Sequence, residues 1–148
     1  MATEADFERM HPLLAVNAAK KKVNEEEYMA SIRILLKDSD FGFAFIVEQP
    51  TSGQVVAVFA TAFYWDFWFN GNRLNVQALE FHPAFNNPTV FTTLRQAVDA
   101  HWKALPLRIV GVYYFYPLHT PAEELEMLRE WFDLTKANWV VITNKGKL

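Results

Sequence analysis

The chain has no cysteine among its 148 residues and only five glycines. Without cysteine it can form no disulfide framework, no thiolate metal site and no cysteine nucleophile. It also lacks an excess of either charge, since its formal net charge is -3. We therefore expect no nucleic-acid binding.

Long apolar runs are missing as well. No stretch approaches the roughly 18 apolar residues of a membrane-spanning helix. The N-terminal "MATEADFERM" is acidic and has no signal-peptide apolar region. These features predict a soluble intracellular protein with no membrane association.

Metal-ligating and nucleophilic patterns are absent from the sequence. His11 and His101 fall on predicted helices, and no histidine pair has ligand spacing, so we expect no metal. Ser31, Ser39 and Ser52 have no nucleophile motif around them. The chemistry therefore has to be sought among carboxylates, amides and the other histidines.

The basic run Lys20–Lys22 is followed by Glu25–Glu27. Cations near the end of one helix and acids in the first turn of the next are electrostatically favourable. This pattern predicts a solvated helix end rather than a binding patch.

Apolar and aromatic residues are plentiful, at 51% and 16% of the chain. That balance and length predict one globular domain over residues 1–148 with a substantial core. Apolar periodicity, capping residues and turn signals place nine elements along it. They are helices at 7–16 and from 25 to about 36, strands at 41–49, 54–69 and 73–81, a helix from 88 to about 105, a strand at 107–116, a helix from 121 and a strand at 138–143.

The second hairpin carries the aromatic run "FYWDFWFNG". Asn70-Gly71 favours a type I′ turn that pairs Trp65–Phe69 with Asn72–Val76. Because both faces of this hairpin are aromatic, we expect one face to pack on the helices and the other to meet a protein partner, a second copy or a neighbouring element of the chain. An ordinary thick core is the alternative. The predicted interface residues are Tyr64, Trp65, Trp68 and Phe69.

Glu80 lies near the carboxyl end of the strand that follows the hairpin. Alternation along 73–81 places it on the same face as Leu74, Val76 and Ala78. A buried carboxylate there is a candidate general base, because burial raises its pKa. The alternative is a strand-end glutamate that reaches solvent or pairs with an arginine.

Two histidines follow the carboxyl ends of two strands that we expect to be parallel neighbours. His82 follows the strand at 73–81, and His119 follows the strand at 107–116. Ligands in open α/β sheets favour that edge, so Glu80, His82 and His119 are the candidate catalytic residues. Each histidine also lies near a proline, Pro83 or Pro117, and the alternative is an ordinary turn residue.

The order of elements resembles that of the GNAT superfamily of acyl-CoA-dependent N-acetyltransferases over nearly the whole chain. "ATEADFERMHPLL" is similar to that family's opening segment, and "LNVQALEFHPAFNNPTVFTTLRQAVDAHWKA" to its fourth strand, pyrophosphate loop and third helix. The resemblance implies an α/β fold with a mixed, mostly antiparallel central sheet and helices on both faces. For an active member it implies acetyl-CoA as cofactor.

The loop departs from the family pattern of Gln or Arg, two residues, Gly, one residue, and Gly or Ala. This chain has "AFNNPT", which contains no glycine, and Pro88 lacks a backbone donor. A helix N-terminus can still attract an anion. The candidate cofactor-binding residues implied by the resemblance are Phe81, Asn86, Asn87, Thr89 and Val90. The tyrosine that many members carry in the last helix is also missing.

These departures favour a GNAT-derived binding or structural protein that needs no cofactor and associates with protein through its aromatic hairpin. Similar degenerate domains occur among bacteriophage proteins, so we expect it in the cytoplasm, or in the virion if a phage encodes it. One alternative is an active N-acyltransferase that uses acetyl-CoA, with Glu80 as base and water or a histidine as proton donor. Another is an aromatic-lined pocket for a different ligand.

Overall fold

A computed structural model describes residues 1–117, 120–132 and 140–144, with the side chains described over 1–114 and 120–131. Four α-helices, two short 3-10 turns and five strands lie in these ranges. The helices are α1 (Phe7–Lys21), α2 (Glu25–Lys37), α3 (Pro88–Ala104) and α4 (Ala122–Phe132), and the strands are β1 (Gly42–Glu48), β2 (Val55–Asp66), β3 (Gly71–Phe81), β4 (Ile109–Pro117) and β5 (Val140–Asn144).

The strands form one sheet in the order β1-β2-β3-β4-β5. The ladders β1–β2 and β2–β3 are antiparallel, and the shorter ladders β3–β4 and β4–β5 are parallel. The predicted α/β class, with a mixed and mostly antiparallel sheet, is confirmed. So is the prediction that β3 and β4 are parallel neighbours.

Each face of the sheet carries its own apolar core. On one face, α3 and α4 cover a core rich in aromatic rings, and on the other, α1 and α2 cover a core of aliphatic side chains. The first includes Phe43, Phe59, Phe91, Leu94 and Trp131. The second includes Met10, Leu14, Ile32, Val58 and Ala78. Helices therefore lie on both faces, as predicted.

Short-range signals in the sequence account for the helix starts. Asn24 accepts a hydrogen bond from the Glu27 N–H at 3.0 Å, and its side chain caps α2. Asp6 accepts one from the Thr3 N–H at 2.9 Å, in a capping box that begins the 3-10 turn Glu4–Asp6 immediately before α1. Helix α1 continues past the predicted end near Val16 and ends at Lys21. None of the helices that the structure describes is long and apolar enough to span a membrane.

A bulge in β3 corrects the predicted face of the strand. Ala60 pairs with Ala78 and the next residue of β2 pairs with Val76, so Gln77 is an extra residue in β3. Because side chains alternate along a strand, one extra residue moves every later side chain to the opposite face of the sheet. Leu74 and Val76 pack toward α3 and α4, whereas Ala78 packs toward α1 and α2. The prediction that Ala78 and Glu80 share a face with Leu74 and Val76 is therefore wrong.

The turn between β2 and β3 is also longer than predicted. Asp66 pairs with Gly71, so the loop comprises residues 67–70 rather than Asn70-Gly71 alone. Asp66 causes the difference, because its Oδ1 accepts hydrogen bonds from the N–H groups of Trp68 at 2.9 Å and Phe69 at 3.1 Å. Such a side-chain-closed turn competes with a two-residue turn.

Candidate functional site

The strands β3 and β4 diverge toward their carboxyl ends. Their ladder runs from Asn72–Ile109 to Val76–Tyr114. Beyond Val76, β3 continues to Phe81, and the described residues show no pairing of that part with β4. The divergence leaves backbone carbonyl groups of β3 available to side chains of α1.

Glu80 lies buried beneath α1, with only 6% of its surface exposed. Lys20 donates to its Oε1, with the Nζ atom 2.6 Å away. Asn17 places its Nδ2 atom 3.4 Å from Oε2 and 3.2 Å from the Leu79 carbonyl oxygen. The carboxylate thus neither reaches solvent nor pairs with an arginine, as the alternative interpretation expected, but binds an ammonium group of its own chain.

Lys21 binds the carbonyl oxygen of the bulged residue. Its Nζ atom is 2.7 Å from the Gln77 oxygen. Burial lowers the pKa of Lys21 from 10.5 to about 8, and the nearby charge of Glu80 opposes that shift. The Tyr28 hydroxyl lies 3.1 Å from the same oxygen. Burial raises the pKa of Tyr28, so its proton is retained at neutral pH.

Tyr114 and Glu124 complete a cleft of about 340 Å³ around these groups. Burial raises the pKa of Tyr114, and the Glu124 and Glu80 carboxylates add to the effect. Burial also raises the pKa of Glu124, against the opposing charge of Lys20. Buried titratable groups with shifted pKa values inside a cleft are typical of functional sites. We call this cleft, at the end of β3, the lysine cleft.

Sequence reasoning missed the contacts of Lys20 and Lys21. The predicted solvated helix end holds for Lys20 and Lys22, which are both exposed, but not for Lys21, which is partly buried. Lys22 ends α1 in a left-handed conformation with φ 54°. The missed signal was the spacing of Asn17, Lys20 and Lys21. These residues follow Leu14 at three- and four-residue intervals, which places them on the side of α1 that carries its buried residues.

The two candidate histidines have different outcomes. His82 ends β3 as a turn residue: its Nδ1 atom accepts a hydrogen bond from the Ala84 N–H at 3.1 Å, and its ring lies against Phe85. It is not among the described residues that line the lysine cleft. His119 lies outside the described residues. The structure therefore does not bring Glu80 and His82 together.

The loop from His82 to α3 uses its own backbone donors. The N–H groups of Phe85 and Asn87 donate to His82 and Phe85 carbonyl oxygens. The Val90 N–H donates to the Asn87 side chain at 3.1 Å, and the Phe91 N–H to the Asn87 carbonyl. A pyrophosphate at this helix N-terminus would have to compete with these bonds.

The remaining candidate cofactor-binding residues have structural surroundings of their own. Phe81 is partly buried, with its ring against Phe91. The Thr89 carbonyl accepts from the Thr93 hydroxyl at 2.8 Å inside α3. Asn86 is exposed. No group of three or more His, Asp or Glu residues suited to a metal ion occurs in the described ranges.

The aromatic hairpin tip projects from the other end of β3. Trp68 is 94% exposed and Phe67 85% exposed, and Tyr64, Trp65 and Phe69 are also exposed. The alternative of an ordinary thick core is therefore wrong for these rings. We use the term hairpin tip for residues 64–69.

Buried charges hold the base of the hairpin tip. Arg73 forms an ion pair with Asp66, and both side chains are almost fully buried. Burial acts to raise the pKa of Asp66, but hydrogen bonds from Arg73 and from the N–H groups of Phe69 and Trp68 hold it below its usual value. The Arg73 guanidinium also lies over the rings of Phe69 and Tyr113. The exposed rings are thus presented on a well-supported turn.

A larger cavity of about 710 Å³ opens between the N-terminal residues, α2 and the end of α3. His101 and Phe43 line it, with ring centroids 4.6 Å apart. Burial lowers the pKa of His101, so this ring is neutral at neutral pH. The cavity is the described place that best fits the alternative of an aromatic-lined pocket.

Known structures place the chain in a fold class. No protein-family model matches it, and no curated protein matches it significantly. An aminoglycoside N-acetyltransferase, AAC(6')-Iy, in complex with CoA is 14% identical, with a TM-score of 0.66 over 98% of this chain and 91% of that one. An aminoglycoside acetyltransferase from an uncultured soil metagenomic sample is 18% identical, with a TM-score of 0.62 over 99% and 95%.

A plant enzyme gives the same result. Glucosamine-6-phosphate N-acetyltransferase from Arabidopsis thaliana is 14% identical, with a TM-score of 0.64 over 96% of this chain and 92% of that one. The chain therefore has the GNAT acetyltransferase fold. At these identities the similarity defines the fold and not the activity.

Proposed function

We propose that this chain is a GNAT-fold binding protein that associates with protein through its hairpin tip and has no effective site for the CoA pyrophosphate. The observation that carries the proposal is the exposure of the tip, with Trp68 94% and Phe67 85% in contact with solvent. Large contiguous apolar patches on soluble proteins mark interaction sites, and buried Trp residues dominate interface energetics. A structural role in a bacteriophage particle stays a prediction.

The loop before α3 supports the second half of the proposal. The N–H groups of Ala84, Phe85, Asn87 and Val90 already have acceptors in the chain, and Pro88 has no N–H to offer. A ligand that binds only the native state at a hundred times its dissociation constant stabilises it by about 2.7 kcal/mol. We therefore expect millimolar acetyl-CoA to leave the thermal unfolding midpoint unchanged. A clear concentration-dependent rise would contradict the proposal.

A loop variant sharpens this test. In Asn87→Gly/Pro88→Ala the Val90 N–H loses its side-chain acceptor and residue 88 gains an N–H, so we expect CoA affinity to rise at least severalfold in calorimetric titration. Asn-to-Gly at an N-cap costs a few tenths of a kcal/mol and loss of the proline about 0.4 to 1 kcal/mol, which a folded domain tolerates. Asn24→Gly, which removes the cap of α2, is the matched control and should not gain affinity.

The lysine cleft favours a second candidate function, acyl-CoA-dependent N-acyl transfer. Glu80 is buried at the carboxyl end of β3 and already holds an ammonium nitrogen 2.6 Å from its carboxylate. An amine acceptor bound in the place of Lys20 would have a carboxylate to take its proton. Tyr114, whose pKa is raised, would still carry a proton for the departing thiolate.

Glu80→Gln tests this second function directly, because it keeps the shape of the side chain and removes the base. If the chain is an acyltransferase, the rate of acetyl transfer from acetyl-CoA to a panel of primary amines should fall at least a hundredfold in this variant. Lys22→Arg, on the exposed end of α1, is the control. Absence of transfer in the wild-type protein would leave the binding function as the sole proposal.

A further inference from the structure

The lysine cleft contains a primary amine in an unusual place. Lys21 reaches the point where β3 and β4 separate, with its Nζ atom 2.7 Å from the Gln77 carbonyl oxygen and 6.0 Å from the centre of the Tyr114 ring. The hydrogen bond to the bulged residue of β3 holds the amine at this point, at the last residue of α1. The amine therefore faces the cleft rather than bulk solvent.

The surroundings of this amine favour its neutral, nucleophilic form. With a pKa of about 8, roughly one Lys21 in ten is neutral at pH 7, against roughly one in three thousand for a solvated lysine. Titratable or charged groups face the amine from each element packed around it. They are Lys20 on α1, Tyr28 on α2, Glu80 on β3, Tyr114 on β4 and Glu124 on α4.

We propose that Lys21 is an acylation site, whose amine takes the acyl group of a thioester that enters the lysine cleft. The neutral Nζ attacks the thioester carbonyl carbon, an N–C amide bond forms and the C–S bond breaks. The nitrogen loses its proton to Glu80, directly or through water. The departing thiolate takes a proton from the Tyr114 hydroxyl, which solvent restores, so atoms and charge balance.

Thioesters are the donor class that this arrangement suits. They react readily with neutral amines, and their thiolate leaving group is helped by a nearby proton donor. The cleft, at about 340 Å³, has room for a short acyl chain. The step uses no pyrophosphate contact, so it is independent of the loop before α3 and goes beyond the proposed association function.

Acylation would change the charge of the cleft. It removes one of the two cations that accompany the buried carboxylate of Glu80, and Lys20 at 2.6 Å remains. The amide can still donate a hydrogen bond to the Gln77 oxygen. The modified cleft therefore carries one positive charge fewer.

The test uses S-acetyl-N-acetylcysteamine, a small thioester without a nucleotide, and the full-length protein. We expect intact-mass analysis to show one acetyl group added first, and fragment-ion mapping to place it on Lys21 at least tenfold faster than on Lys22. The rate should rise with pH, reach half its maximum near pH 8 and level off about one pH unit higher, where most of the amine is neutral. Glu80→Gln should slow it.

Two controls keep the proposal open to refutation. Lys21→Arg should abolish the rapid first acetylation, whereas Lys22→Arg should leave its rate unchanged. The wild-type protein in denaturing urea should lose the preference for Lys21, a comparison that needs no folded variant. Equal labelling of Lys20, Lys21 and Lys22 in the native protein, or a preference that survives urea, would overturn the proposal. Neither outcome depends on CoA binding or on the hairpin tip.

Discussion

Replacing Lys21 by methionine should abolish a rise in unfolding free energy that the wild-type protein shows between about pH 7.5 and about pH 9.5. The folded-state pKa of Lys21 is lowered from 10.5 to about 8 by burial. In this range the unfolded chain binds the proton more strongly, so stability increases with pH. The expected gain is roughly 2 kcal/mol, measured by urea unfolding.

The tyrosines set the upper limit of this rise. The pKa values of Tyr28 and Tyr114 are raised in the folded protein. Their contribution is present below pH 10 and is lost as pH rises further, so stability should pass through a maximum. Lys22→Met, at an exposed lysine, should retain both the rise and the later fall of the unfolding free energy with pH. A Lys21→Met profile parallel to the wild type would mean that this amine is not buried in solution.

Much of the fold followed from local signals in the sequence. Asn24 and Asn87 cap the helices predicted to begin at residues 25 and 88, because an amide side chain before a helix satisfies an otherwise unpaired N–H group. The apolar run at 107–116 forms β4, an interior strand between β3 and β5, since a strand covered on both faces must be apolar on both. Such features depend on neighbouring residues and can be predicted from one sequence.

The features that were not predicted depend on tertiary contacts. The bulge at Gln77 is an extra residue in one strand of a pair, and its carbonyl is stabilised by Lys21 and Tyr28 from two helices. A strict alternation along β3 could not reveal it, and the face of Glu80 was therefore assigned wrongly. The prediction of a two-residue turn was wrong for a related reason, because the buried pair of Asp66 and Arg73 closes a longer loop.

Gly71 illustrates a third kind of limit. Its identity suggested a turn, but a Cβ atom there would lie 2.5 Å from Val110 Cγ1 and 2.9 Å from the Arg108 carbonyl oxygen. Glycine is required because β4 approaches β3 closely at the base of the hairpin tip. Sequence alone cannot distinguish that cause from a positive φ.

The hairpin tip and the lysine cleft lie at opposite ends of β3. Gly71 begins this strand and Glu80 is the residue before its last, and a strand of this length spans roughly 35 Å. Substitutions at one end should therefore act independently of those at the other. Association and cleft chemistry can be tested separately in the same protein.

The hairpin tip should give the largest effect on association. Replacing Phe67 and Trp68 by serine should weaken self-association or partner capture by at least about thirtyfold, since interface Trp residues commonly contribute 2 kcal/mol or more. Stability should stay within about 0.5 kcal/mol of the wild type, because both rings are exposed and make no contact that the fold requires. Sedimentation velocity measures self-association, and crosslinking from position 64 in an extract of the source cells measures partner capture.

A matched control separates this effect from a general loss of surface hydrophobicity. Ile34 on α2 is 51% exposed and lies outside the hairpin tip, so Ile34→Ser should leave association unchanged. Two results would count against the proposed function. A double variant at Phe67 and Trp68 that loses stability in proportion to association would show that the tip is structural. If the wild-type protein stays monomeric and gives the same crosslinked products as the double variant, these exposed rings bind no protein.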